Sequence, residues 1–158
     1  MRRRKKIAYL AGAIDRVADR GLGWRRIFAA ALAEIGIGTV IPNDIEEQKL
    51  SSAQIAELKS KNDLEEFKRM FRKHIIVPDL AAVEACDLVI ARWDGESIAG
   101  TAHECGEAHL RGQKVLLVTP RPFVEVPNWL LASVDKEFHT LDELLAYLTE
   151  TRGRRLGQ

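Results

Sequence analysis

The chain has 158 residues, of which 46% are hydrophobic and 30% charged; that suffices for one domain with a single buried core, without disulfides or metals. A formal net charge of +1 sets up no field that would draw the whole molecule to a nucleic-acid polymer or a membrane surface. The longest apolar runs, such as Val115 to Val118, are far too short to span a bilayer.

The Arg-rich start runs straight into a strand pattern with no signal-peptide core behind it, so the cytoplasm is the expected compartment. Residues 1–5 and 152–158 read as basic, mobile ends of a single domain covering 1–158. Lys6 to Ala11 is expected as the first strand, stopped by Gly12. Trp24, Ile27, Phe28, Ala31, Leu32 and Ile35 recur at helical spacing up to Gly36. Gly38 to Pro42 reads as the second strand, with Asn43 and Asp44 at its carboxyl end. The charged stretch Glu46 to Lys73 reads as one or two amphipathic helices with a break near Asn62, and Pro78 suits the first turn of a short helix through Ala85. Asp87 to Trp93 is a buried strand, Asp94 to Gly100 a loop, and Thr101 to Arg111 a helix closed by Gly112. Lys114 to Thr119 is a further apolar strand. A short helix over Pro127 to Ser133, a last strand starting at Phe138 and a closing helix over Leu141 to Thr149 complete the chain.

Strands that are continuous apolar runs and alternate with helices predict an α/β domain: one five-stranded parallel sheet, doubly wound, flavodoxin-like or Rossmann-like. Ligands of such sheets bind beyond the carboxyl ends of the strands. The loops after Gly12, Asn43, Asp94 and Pro120 should therefore share one rim.

Glu104 is expected in the first turn of the helix behind the Asp94 to Gly100 loop. Thr101-Ala102-His103-Glu104 also fits a capping box, in which Glu104 merely caps its own helix; the alternative is a rim carboxylate able to attack an anomeric carbon. Asp79 reads either as an acid favoured by the dipole of a helix start or as a second carboxylate working with Glu104. Trp93 reads as a ring that stacks on a planar base or as a core side chain. His103 should diverge from Glu104 on the helix surface. Cys86, Cys105 and the four histidines have no metal-ligand spacing, so no metal and no cofactor is expected. Neither G-x-G-x-x-G nor a P-loop is present.

Taken together, several segments resemble the nucleoside 2-deoxyribosyltransferase family, over roughly residues 7 to 148. Tyr9 to Ile14 (YLAGAI) is similar to its first-strand motif. Asp79-Leu80 with Ala85 to Ala91 (ACDLVIA) resembles its D-L-x(5)-[AC]-D-x-V-[IV]-A segment. Gly100 to Ala108 (GTAHECGEA) resembles G-T-x-x-E-x-G-x-A, and Val126 to Leu130 (VPNWL) a P-x-W-[IL] pattern. The resemblance implies an enzyme that cleaves or exchanges an N-glycosidic bond of a nucleoside or nucleotide. Glu104 would be its nucleophile, Asp79 the acid that engages the base, and Tyr9 the residue that positions Glu104. It places Gly12, Ala13, Ile14, Trp93, Asp94, Ser97, Gly100 and Asn128 around the substrate, and implies a homo-oligomer whose neighbouring subunit completes the pocket. Related members hydrolyse nucleoside 5′-monophosphates, and a nucleotide-binding sensor on the same scaffold is the alternative of another class. Two positions depart from the pattern. Ile98 stands where many transferases have an aspartate that binds the sugar, with Ser97 beside it. Asp15 stands in the loop where the hydrolases bind phosphate, which predicts no strong requirement for a 5′-phosphate.

Overall fold

The computed structural model describes residues 4–14, 17–45 and 50–154. Asp15, on which the phosphate expectation rests, lies outside them, as do residues 46–49 of the charged stretch and 155–158 of the tail.

Five strands form one all-parallel sheet: β1 (Lys6–Ala11), β2 (Ile37–Val40), β3 (Leu88–Arg92), β4 (Lys114–Val118) and β5 (Lys136–Phe138), in the order β2-β1-β3-β4-β5. This is the flavodoxin-like order, with its switch point between β1 and β3. Alternation along β1 decides which face meets which helices. Tyr9 and Ala11 point into one core, shared with Val83 of α4 (Val77–Ala85), Cys105 of α5 (Ala99–Leu110) and Leu130 of α6 (Asn128–Ala132). Ala8 and Leu10 point into the other, shared with Phe28 and Leu32 of α1 (Leu22–Glu34) and with Leu144 and Leu148 of α7 (Leu141–Arg154).

The charged stretch forms α2 (Ser52–Ser60) and α3 (Leu64–Phe71), parted at Asn62, whose φ is 53°. Ser51 and Gln54 form a capping box on α2, and Asp63 caps α3. Neither helix buries a residue, so their sequence is held by caps and short ion pairs rather than by a core. Pro78 does not start a new helix, as the sequence suggests. A π turn at Arg72–Ile76 carries α3 into α4 without a stop. A proline ring clashes with the carbonyl four residues back, and a widened turn is one way a helix accommodates it.

Other element ends differ from expectation by a few residues. β2 gives way to a 3₁₀ turn at Pro42–Asp44. α7 runs to Arg154 rather than Thr149, and its Arg152 donates to the carbonyls of Ile35 and Gly36. Arg4 pairs with Asp87. Arg4 and Arg152 are thus anchored positions, not free chain ends. Ile27, expected on the buried stripe of α1, is exposed, and Arg25 takes that place. No helix among the described residues is long and apolar enough to cross a membrane.

Candidate active site

Three of the sequence-predicted residues meet at the switch point. Tyr9 is fully buried on β1, Asp79 lies on α4 and is nearly buried, and Glu104 projects from α5. All three are electrostatically coupled. Their elements explain the meeting: β1 sends Tyr9 to the face covered by α4, which carries Asp79, and α5, which carries Glu104.

The capping-box account of Glu104 does not hold. α5 starts at Ala99, so Glu104 is its sixth residue, one turn further along than expected, and the helix has no side-chain cap. The cause lies in the preceding loop. Gly95, at φ 91°, turns the chain tightly; Glu96 accepts the Asp94 N–H through its carboxylate, and its carbonyl accepts the Trp93 indole N–H. This brings Ile98, an apolar side chain that is itself buried, to the cap position. The dipole account of Asp79 fails for a related reason. Its helix continues from the π turn, so no free helix start stands beside it.

Glu104 Oε2 and the Tyr9 hydroxyl are both buried and neither has a hydrogen-bond partner. They are near enough to shift each other's ionisation, the Tyr9 hydroxyl acting as a donor that lowers the Glu104 carboxyl and Glu104 raising the phenol. The Glu104 residue as a whole keeps some accessible surface, while its Oε2 is sealed. Gly100 lies one helical turn before Glu104, and a Cβ added there would stand 4.0 Å from Oε1. Burial, then the charge of Asp79, push the Glu104 carboxyl up to about 8, against the opposing effects of Tyr9 and Arg25. Burial also drives the Tyr9 phenol far upward, with Glu104 adding to it, which keeps the hydroxyl protonated as a donor.

Arg25 was not legible as a site residue. It is completely buried, and its guanidinium donates to the carbonyls of Leu10 (3.1 Å), Gly12 (2.7 Å), Ala13 (3.4 Å) and Gly21 (3.0 Å). Its spacing of three and seven from Phe28 and Leu32, on the buried stripe, is the signal that would have found it. It fixes the turn after β1. Gly12 is required in that turn, because a Cβ there would meet Trp24 Cζ2 at 2.6 Å.

The remaining predicted residues occupy the rim unevenly. Ala13 is buried and Ile14 half-buried beside the turn. Trp93 lies in the core, with its indole N–H tied to Glu96, and supports the loop from behind. Asp94 is held between Arg121 (3.2 Å) and Arg92 (3.7 Å). Ser97 is exposed on the loop, Gly100 in the first turn of α5 and Asn128 at the start of α6. Two surface hollows lie away from this corner, one along α3 and the π turn, the other between α1 and the end of β2. The Tyr9, Asp79 and Glu104 corner is therefore the better candidate, because it alone combines sealed polar atoms with strongly displaced ionisations. Among the described residues no group of three or more His, Cys, Asp or Glu is placed to hold a metal ion.

The same architecture occurs in solved 2-deoxyribosyltransferases. A 2-desoxiribosyltransferase from Leishmania mexicana is 22% identical, with a TM-score of 0.58 over 92% of this chain and 97% of the other. A 2-deoxyribosyltransferase from Bacillus psychrosaccharolyticus is 20% identical, with a TM-score of 0.57 over 88% of this chain and 90% of the other. A conserved protein from Enterococcus faecalis V583 is 18% identical, with a TM-score of 0.54 over 92% and 98%. Likeness at this identity is a likeness of fold. No family model and no curated protein matches the sequence.

Proposed function

We propose that the chain is an enzyme that cleaves or exchanges the N-glycosidic bond of a nucleoside-type substrate through a covalent glycosyl-Glu104 intermediate. The observation that carries this reading is the Glu104 carboxyl itself: one oxygen buried without a partner, and the group coupled to Asp79 and Tyr9 at the switch point. The fold shared with two 2-deoxyribosyltransferases supports the substrate class.

Burial and the Asp79 charge push the Glu104 carboxyl up to about 8, so this corner holds a proton at neutral pH. In the reacting form the proton is on Asp79 and Glu104 is ionised. A Glu104 oxygen bonds to C1′ as the C1′–N bond breaks. The base leaves with that electron pair and takes the Asp79 proton. In the second half an acceptor base or water attacks C1′, returns a proton to Asp79 and releases the Glu104 carboxylate. The Tyr9 hydroxyl donates toward ionised Glu104 and orients it. Gly12, Ala13, Ile14, Asp94, Ser97, Gly100 and Asn128 are the substrate-contacting set of this reading, and Trp93 braces the loop. A cytoplasmic homo-oligomer belongs to the same proposal, with exposed Trp129 as a contact residue; light scattering measures its mass.

The test is incubation with a panel of ribo- and deoxyribonucleosides and their 5′-monophosphates, with and without a second base, followed by chromatography. Release or exchange of the base is expected from the wild type and not from Glu104→Gln. A Glu104→Gln protein that works as well as the wild type overturns the assignment.

A further inference from the structure

Arg25 does more than fill a core position. A guanidinium offers five N–H donors, and here they grip four carbonyls spread over β1, the turn after it and the residue before α1. Among the described residues no carboxylate is in ion-pair contact with this buried charge. An isolated buried cation is costly unless something balances it. The groups that oppose this cost are Glu104 first, then Asp79 and Asp19, with the neutral Tyr9 hydroxyl beside them. Burial lowers the Arg25 pKa and these groups oppose that, yet a guanidinium stays charged in any folded protein. The turn it grips, Gly12 to Ala13, is the one that borders the candidate site, and the Trp24 ring lies against both Gly12 and the guanidinium.

We propose that Arg25 is a positioning residue of this site: its guanidinium fixes the turn after β1 and supplies the fixed positive charge that offsets the Glu104 and Asp79 carboxylates. The proposal rests on the reading of Glu104 as the reacting group only for its kinetic arm. The groups that act on the Glu104 charge are Tyr9 from β1, Asp79 from α4 and Arg25 from α1, with the buried Cys105 thiol next to it on its own helix. Arg25 is the one cation in that set, so its removal and the removal of Asp79 should move the Glu104 titration in opposite directions.

Two functions can be separated by two substitutions. Arg25→Lys keeps the charge and loses the planar fork. Arg25→Gln loses the charge and keeps part of the hydrogen bonding. The Glu104 carboxyl is titrated by carbon-13 NMR in both and in the wild type, and the pH profile of turnover is recorded alongside. Arg25→Gln should raise the Glu104 titration, since the lost charge is one that lowers it, and carry the alkaline limb of the pH profile up with it. Arg25→Lys should leave that titration near the wild-type value and raise KM, because the turn is no longer gripped. If Arg25→Gln does not fold, Arg25→citrulline, made by ligating a synthetic N-terminal segment, keeps the fork without the charge and gives the same reading. An unmoved Glu104 titration in the neutral variant overturns the charge role, and an unchanged KM in Arg25→Lys overturns the grip on the turn. The titration needs no turnover, so it decides the role of Arg25 even where the reaction assigned to Glu104 is wrong.

Discussion

Replacing Glu104 by Gln should stabilise the protein at neutral pH while removing its activity. A carboxyl moved from its ordinary 4.5 to about 8 on folding binds a proton that the unfolded chain releases. With the folded value above the unfolded one, the contribution to stability is fully present below about pH 4.5 and is lost as pH rises to about 8. At about pH 7.5 the loss is on the order of 4 kcal/mol as a ceiling, and about half that once water reaches the accessible part of Glu104. Gln has the same shape without the charge, and its amide offers a donor or acceptor to the unpartnered Tyr9 hydroxyl. For a chain of this length 1 kcal/mol is about 2–4 °C in Tm, so Glu104→Gln should melt roughly 4–8 °C higher at about pH 7.5. Near pH 4.5 the two proteins should melt together. Thermal melts followed by circular dichroism across that range give the comparison. A Tm difference that does not change with pH, or a less stable Gln variant at every pH, refutes the claim that a buried ionisable carboxyl sits at this position.

Tyr9→Phe removes a buried hydroxyl that has no partner, so stability should hold or rise by up to about 1 kcal/mol, while kcat falls about tenfold or more, roughly 1.4 kcal/mol; equal losses in both would mean that the hydroxyl is structural. Gly12→Ala should cost about 1–3 kcal/mol in urea unfolding, because Trp24, in edge contact with Phe28 and under the Arg25 guanidinium, has no room to withdraw. Asp79→Asn should lower kcat more than it changes KM and should abolish the alkaline fall in rate near pH 8. The Asp79 charge raises the Glu104 pKa, so its loss should move the Glu104 titration below about 8, and a variant that keeps the wild-type pH profile contradicts the proton assignment.

The fold was largely legible because β1, β3 and β4, the central strands, are mainly apolar runs, the pattern of a sheet covered on both faces. The break at Asn62 was legible too, because Asn62-Asp63 interrupts the helical pattern. Three features were not. The π turn ahead of Pro78 depends on how a continuous helix absorbs a proline, and the residues alone fit a new helix start equally well. The start of α5 is set by Ile98 being drawn into the core and by the Gly95 turn, a tertiary effect that overrides the T-x-x-E pattern. Arg25 was hidden because an arginine in an amphipathic helix reads as solvent-facing by default. Its neighbours Phe28 and Leu32 were assigned to the core, but placing a charge on the same stripe needs acceptors that only the turn after β1 provides. Within the site, Tyr9 and Glu104 were found from motifs, whereas their coupling comes from the crossover of β1 and β3, which brings residues far apart in the chain to one corner.

The most direct test of the central claim is mass spectrometry of the enzyme stopped in acid during turnover of a nucleoside that it cleaves. Peptide mapping should place a glycosyl group, joined through an ester, on the fragment containing Glu104 and on no other, and Glu104→Gln should carry none. Sustained base release with no glycosylated peptide, or with the sugar on a different residue, would contradict a mechanism through Glu104.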